Sequence, residues 1–485
     1  MDQILHCHRW GLHLLLAFIF IGCSRNPFTT PYKYAPTASN KVWRPSTKER
    51  KKIEDVDPMA SLQIPSEEDS ISLGDLFDIA LNNSPDTRKS WEEARERAAG
   101  YSSSMSDYLP TIGFTGNYWV LREASVFSDK LFLTQAQQYG PEVTFNYLLW
   151  DSGQRRYQTE YAFQLLQEAN WSHNEEVQTV MQKVAATYYD YLYAKSLLEA
   201  DEADLLNAEE TFRAAREKTV SGIFDETDML QAKTNFLQKK VGLTSQVATV
   251  QNRFVDLLSA LGIPATVSFQ LGSFPDKAFI EAPLYSIDQL IDLAKTKRPD
   301  LQAAKADILA LEAHVQKTKT DLYPKINLQG QAGQQWYSNN TTDGGNYVVQ
   351  LNLTLPIFTG FYYINQIKVA QSELEEKIAS YRDMELTVLR QVKQSHNNYV
   401  MAKQEIVDTK SYLDAAQVEF DAMLERYKMG IVDILDLLSS QAYLSDARAK
   451  YALSQKNYFM AMIDIAFSTG VLANACPWTM EEGND

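Results

Sequence analysis

Two carboxylates stand three residues apart in the stretch MGIVDILDLLSSQ, Met429–Gln441: Asp433 and Asp436. Residues three apart on a helix share a face. Such a pair could act as general acid and base, as half of a metal site, or as part of a charged ring in a larger assembly. The rest of the chain offers little to the first two chemistries. Of six histidines, His6, His8 and His13 fall in a segment that reads as a leader, and His173, His314 and His396 are far apart. The segment HNEE at His173 has no second histidine one turn on. Cys7, Cys23 and Cys476 are too few and too scattered for a disulfide framework or a zinc site. No G-x-S-x-G, H-E-x-x-H, phosphate loop or G-x-G-x-x-G occurs. No catalytic residue, cofactor or metal is therefore expected, and the carboxylates need another explanation.

The elements that position them begin with a leader. Arg9 precedes the apolar run WGLHLLLAFIFI, which is too short to span a bilayer and has the form of a secretion signal. It ends at FIGCS, Phe20–Ser24, which resembles a lipoprotein box: the small Gly22 precedes Cys23, the expected lipidation site. Residues 23–71 are rich in Pro, Ser, Thr, Lys and Glu and read as an extended segment. A formal charge of −16 argues against nucleic acid as a partner. No later run is long and apolar enough to read as a membrane-spanning helix.

The body of the chain repeats itself. LFDIALNNSPDTRKS from Leu76 matches LIDLAKTKRPDLQAA from Leu290, with Pro85 and Pro299 separated by an offset of 214 residues. The offset holds to SDYLPTIGFTG and TDLYPKINLQG. LWDSG and PIFTG then pair Gly153 with Gly360. SGIFDETDMLQA pairs with MGIVDILDLLSS, so Gly222, Asp225 and Asp228 match Gly430, Asp433 and Asp436. Two copies of one pattern, 72–265 and 285–475, are joined by a linker 266–284 and followed by a tail 476–485.

Each copy reads as a helix (about 73–107 in the first), a strand pair and a long helical hairpin. TIGFTGNYWV alternates, with Ile112, Phe114, Tyr118 and Val120 on one face; VQLNLTL does the same, with Val349, Leu351 and Leu353 opposite Gln350, Asn352 and Thr354. Strands are expected at about 110–121, 141–150, 324–337 and 346–358. Trp119, Trp150 and Trp336 lie where a membrane-interface belt would sit. Hairpins are expected at about 154–262 and 361–470, turning near Gly222 and Gly430. Their apolar residues step by three and four, as in Val177, Met181, Val184, Tyr188, Tyr191 and in Leu413, Ala416, Phe420, Met423, Tyr427, which is coiled-coil spacing. The tyrosines of TYYDYLYAK, 187–195, fit this core pattern better than a stacking surface. Residues 154–220 as one helix would make a rod of about 100 Å.

Four strands with one apolar face cannot bury themselves and are too few for a closed barrel, while lipid does not tolerate an open edge. The sequence asks for more copies of itself. Taken in order and found twice, the SPD and RPD turns at Ser84 and Arg298, the LP and YP junctions, the LWDSG and PIFTG junctions, and the G-x-x-D-x-x-D-[LM]-L motifs resemble the TolC-type outer-membrane efflux and secretion channels over 72–475. The resemblance implies a mainly α fold with a membrane β part: a homotrimer with a twelve-stranded barrel continuing into a helical tunnel. It implies an exit channel of a tripartite efflux or type I secretion system, opened by a periplasmic adaptor and an inner-membrane pump. It implies that Asp436, with Asp433 one turn nearer the tip, forms a pore constriction; the second aspartate of the family motif falls on Ser439. Asp225 and Asp228 are weaker candidates. Gly222, Ile223, Phe224, Gly430, Ile431 and Val432 would be the adaptor-docking tips. A lipidated Cys23 would match the drug-efflux lipoprotein branch, held in the outer membrane by lipid and barrel. The competing reading is a periplasmic coiled-coil scaffold without a pore, which accounts for the helices but not for the duplicated strand pairs.

Overall fold

The computed structural model describes residues 71–127, 130–221, 225–274, 286–337 and 344–474. All lie in one compact unit, Gln63–Asp485. Cys23 and the tip residues Gly222, Ile223 and Phe224 are outside the described residues.

Each repeat opens with two helices, not one. α1 (Leu73–Asn83) and α2 (Pro85–Met105) are split at Ser84. The residue before a proline is driven to extended backbone, and Ser84 has φ −64 and ψ 126. Its hydroxyl accepts from the Asp86 N–H and caps α2. In the second repeat α5 (Ile287–Lys297) and α6 (Pro299–Thr320) break identically at Arg298, with φ −65 and ψ 122. The aligned residues Leu76, Ala80, Leu290 and Ala294 are all buried.

The strands are β1 (Thr111–Phe127), β2 (Lys130–Trp150), β3 (Lys325–Tyr337) and β4 (Gly344–Thr354). They form one antiparallel sheet in the order β1-β2-β3-β4, so the two repeats meet at β2 and β3. The first pair is longer than its alternation suggests, because β1 and β2 stay paired out to Phe127 and Lys130.

Two very long helices leave the sheet: α3 (Gln154–Val220) and α7 (Tyr362–Lys428), 67 residues each. At about 1.5 Å per residue each spans about 100 Å. The returning helices α4 (Glu226–Ala260) and α8 (Ile434–Ser468) are half as long, 35 residues each. The part of α3 nearer the sheet is flanked instead by α2 and α6, as Ser90 on His173 and Tyr161 on His314 show. Its far part packs on α4 and α8, through Gln246 to the Ala194 carbonyl and Gln182 to Asp464.

The coiled-coil positions form the core. Met181 and Val184 are buried with Leu192, Leu257, Leu258 and Tyr458, and Val177, Tyr188 and Tyr191 pack against them. Tyr189 stacks on Phe459 at 5.2 Å and on Phe274 at 6.2 Å, so the tyrosine-rich segment is core. Ala416, Phe420 and Tyr427 build a second cluster near the hairpin ends, with Leu413 and Met423 against it.

Candidate functional site

The sheet has two chemically opposite faces. Ile112, Phe145, Gly330 and Val349 lie in one row across the four strands; Phe114, Val143, Ala332 and Tyr347 lie in the next. This face is solvent-exposed in the single chain, Phe114 by 76% and Leu353 by 67%. The other face is polar: Gln350 donates to Gln329 Oε1 at 2.6 Å, and Asn352 donates to the same oxygen at 3.0 Å. A contiguous apolar face of this size marks a surface meant to be covered.

Aromatic rings bound the apolar face. Tyr118 pairs with Tyr139, and Tyr139 meets Trp336 at 5.8 Å between centroids. At the other end a register shift between Leu148 and Trp150 brings Trp150 into line with Ile326. Ile326 to Trp336 is ten residues, about 33 Å of strand at 3.3 Å per residue. A tilt of 35–45° reduces that to about 23–27 Å, the height of an outer-membrane apolar band. Trp119 does not belong to this belt. It pairs with Gln138 on the polar face, because its neighbour Tyr118 takes the apolar side and side chains alternate.

The strand-to-helix junction is built by Asp151. Its carboxylate accepts from the Gly153 N–H at 3.1 Å, from the Arg155 N–H at 2.8 Å and from Arg155 Nε at 2.9 Å. These bonds give an acceptor to N–H donors that an emerging helix would otherwise leave unpaired.

At the far ends, α7 closes in a Schellman turn. Gly430, at φ +79, donates to the Tyr427 carbonyl, and the Ile431 N–H donates to Arg426. That backbone conformation is the one glycine adopts without steric cost. Asp433 and Asp436 are not two members of one helix face. Asp433 is the N-cap of α8, and its carboxylate accepts from the Asp436 N–H at 2.9 Å. Asp436 sits in the first turn, and both side chains are exposed. In the first repeat, Asp225 holds the N-cap position of α4, but its carboxylate accepts from the Thr227 hydroxyl at 3.1 Å and not from a helix N–H. Asp228 is half-buried and faces Tyr427; burial first, then this carboxylate, pushes the Tyr427 hydroxyl up to about 12.

The two hairpins touch at these ends. Lys218 Nζ donates to the Tyr427 carbonyl and lies 4.5 Å over the Tyr427 ring. Lys428 pairs with Glu210 and Glu425, each at 2.8 Å. Of the expected docking residues described, Ile431 is exposed while Val432 is half-buried against the second core cluster. Val220, Met429 and Leu435 are exposed beside it and escaped the sequence reading. Their only signal was an apolar type within two turns of the glycine.

A second omission lies inside the helical wall. Asp204 on α3 is 2% exposed and accepts from Lys239 on α4 at 2.7 Å and from Arg448 on α8 at 2.6 Å. The Ser445 hydroxyl also donates to it, and Arg448 reaches Gln417 on α7 at 3.1 Å. One carboxylate thus ties all four hairpin helices together. Its burial cannot be read from sequence, where it is one aspartate of many.

The two flanking helices carry unpartnered apolar residues: Leu230, Leu237 and Val241 on α4, Val400, Val407 and Val418 on α7, all exposed. β1 and β4 likewise pair on one side only among the described residues. No group of three potential metal ligands and no helix apolar enough to cross a membrane occurs among the described residues.

A family model described as outer membrane efflux protein matches residues 76–263 and 290–471, the two repeats. The chain belongs to the outer membrane efflux protein family. Among curated relatives, Protein CyaE of Bordetella pertussis is 23% identical over 390 residues, covering 79% of this chain and 81% of that protein. The pyoverdine export outer membrane protein OpmQ of Pseudomonas putida is 22% identical over 414 residues, covering 83% and 86%. Among solved structures, the outer-membrane channel OprN superposes with a TM-score of 0.75 at 18% identity, covering 86% of this chain and 95% of that one. The open state of the Neisseria gonorrhoeae MtrE outer membrane channel gives 0.71 at 19% identity, covering 82% and 89%. The protein is an outer-membrane efflux channel, and the scaffold reading without a pore is not favoured. Its family is one of channels, not of enzymes.

Proposed function

We propose that three copies of this chain close into one exit duct. Three four-stranded sheets would make a twelve-stranded barrel with the apolar face toward lipid and the glutamine- and asparagine-rich face toward the lumen. The observation that carries this reading is the sheet itself: an aromatic-bounded apolar face of membrane height, open at both edges. Closing the barrel removes the edges that lipid would not tolerate. The apolar residues of α4 and α7 support the same arrangement, since each would cover the other between neighbouring copies.

The hairpin ends would face a periplasmic adaptor and an inner-membrane pump. Ile431 and Val432, with Gly430 as the turn, and Gly222, Ile223 and Phe224 of the other hairpin, form the docking tips in this reading. Asp436 projects toward the three-fold axis as a cation-favouring ring, with Asp433 held back by its capping role. Cys23 carries a lipid anchor. The duct is passive, with no catalytic role and no cofactor. Its cargo is of the small-molecule or protein classes that such systems export.

The test is insertion and conductance. Purified protein should run as a detergent-stable trimer and form pores in planar bilayers. Val349→Arg, in the row of Gly330, puts a charge near the middle of the lipid face, at a cost of about 2–4 kcal/mol per chain, and should leave the protein out of the membrane fraction. A monomer in detergent that forms no pores would sink the proposal, as would a V349R variant that inserts normally. Cross-linking of an adaptor from cysteines at Phe224 and Val432 tests the tips separately.

A further inference from the structure

The lumen-side face of the sheet is not uniform. The β2–β3 ladder is interrupted between the pairs Tyr139↔Trp336 and Glu142↔Gly333, where Gly140 and Pro141 make no paired register. Proline has no N–H to give a ladder. Gly140 lies so close to the neighbouring strand that any Cβ would collide with the Gln334 carbonyl, and a Cβ on Gly333 would meet the Pro141 carbonyl at 2.7 Å. The result is a groove of about 230 Å³ floored by two glycines. Trp119, which the alternation puts on this face, stands at one end and is 64% exposed. Glu142 stands at the other, four residues along β2 from Gln138, the partner of Trp119, which is about 13 Å at 3.3 Å per residue. Glu142 has no cationic partner among the described residues. Asn346 Oδ1, on the rim, is buried from solvent without a hydrogen-bond partner among them. Buried polar atoms are nearly always satisfied, so an unmet acceptor asks for a donor from elsewhere.

We infer that this groove is a binding subsite in the barrel lumen for elongated organic cations, with a planar group stacked on Trp119 and an ammonium or amine at Glu142. Tryptophan is the strongest of the aromatic side chains toward cations. The carboxylate supplies the charge, and the glycine floor lets a flat ligand lie against the backbone. Amine donors satisfy Asn346 Oδ1, and a carbohydrate would leave the lone carboxylate without a counter-charge. A chain of net charge −16 draws cations toward the lumen in the first place. The inference rests on the reading that the polar face lines a pore.

Ethidium, a planar aromatic cation, is the probe. Its binding to the detergent-solubilised full-length protein is measured by fluorescence anisotropy, and its block of single-channel current in bilayers is measured in parallel. Trp119→Ala and Glu142→Gln should each weaken binding and block about fivefold, and both variants should still form conducting pores in bilayers. Both positions lie on the open lumen face, so folding is not at stake. Asp436→Asn should leave anisotropy titrations unchanged. A channel that conducts but whose ethidium affinity ignores both substitutions overturns this inference alone. Displacement of ethidium by a neutral oligosaccharide rather than by a second organic cation overturns the assignment to cations. A wild-type protein that forms no pore at all overturns the channel reading and this inference with it.

Discussion

Asp204 and the pair Asp433 and Asp436 belong to the same two hairpins and do opposite things. Asp204 is sealed inside the wall, about 24 Å from the end of α3 at 1.5 Å per residue, and its oxygens are taken up by Lys239, Arg448 and Ser445 from two other helices. Asp433 and Asp436 are exposed at the tip, and the only partner of Asp433 among the hydrogen bonds described is a backbone N–H of its own helix. A buried carboxylate is tolerable only when cations and donors surround it; an exposed one is free to meet ions in a pore. The contrast separates a carboxylate that fixes the wall from carboxylates left open to solvent at the tip.

The largest test of that contrast is Asp204→Ala. It leaves Lys239 and Arg448 without their counter-charge. These side chains keep 24% and 16% exposure and regain some water, so the cost should sit near the lower end for a broken buried pair, about 3 kcal/mol. Denaturant unfolding measures it, and a loss below about 1 kcal/mol would remove the distinction between wall and tip. Next come the tip carboxylates. Asp433→Ala should cost about 1 kcal/mol through the lost cap and leave ion selectivity alone. Asp436→Ala should leave stability alone and reduce the preference for cations in bilayer recordings. An exchange of those two outcomes would reverse the roles assigned here.

The smallest effect is at Lys428. The hydrogen bonds to Glu210 and then Glu425 hold its pKa above the ordinary lysine value of 10.5. A raised folded-state value means that the stabilisation is fully present below about pH 10.5 and is lost as pH climbs through the higher folded value. The pair is partly exposed, so the effect is small and screened by salt. Alkaline titration of wild type against Lys428→Met should show the variant lacking this loss; parallel curves would show that Lys428 does not link the hairpins.

The two proline breaks show how much of such detail was legible. Pro85 and Pro299 set the same backbone at Ser84 and Arg298, and the sequence marks both. What the preceding side chain does differs entirely. Ser84 caps its helix, whereas Arg298 is buried, grips Asp300 through Nε and Nη2, and donates from Nη1 to Gln391 and the Ser468 carbonyl. Local backbone chemistry is written in the residue types. Partners 93 and 170 residues away are not.

The same boundary divides the whole protein. The order of elements, the doubling of the pattern, the alternation of the strands, the heptad stepping of the hairpins and the turn at Gly430 were all determined by the sequence, because each depends on residues a few positions apart and on fixed periods of 2 and 3.6. The sheet order that joins the repeats at β2 and β3, the bulge that turns Trp150 outward, the placing of Trp119 on the polar face over a broken ladder, and the enclosure of Asp204 by two other helices were decided only by the tertiary structure. They depend on which distant segments lie side by side, and no local period encodes that.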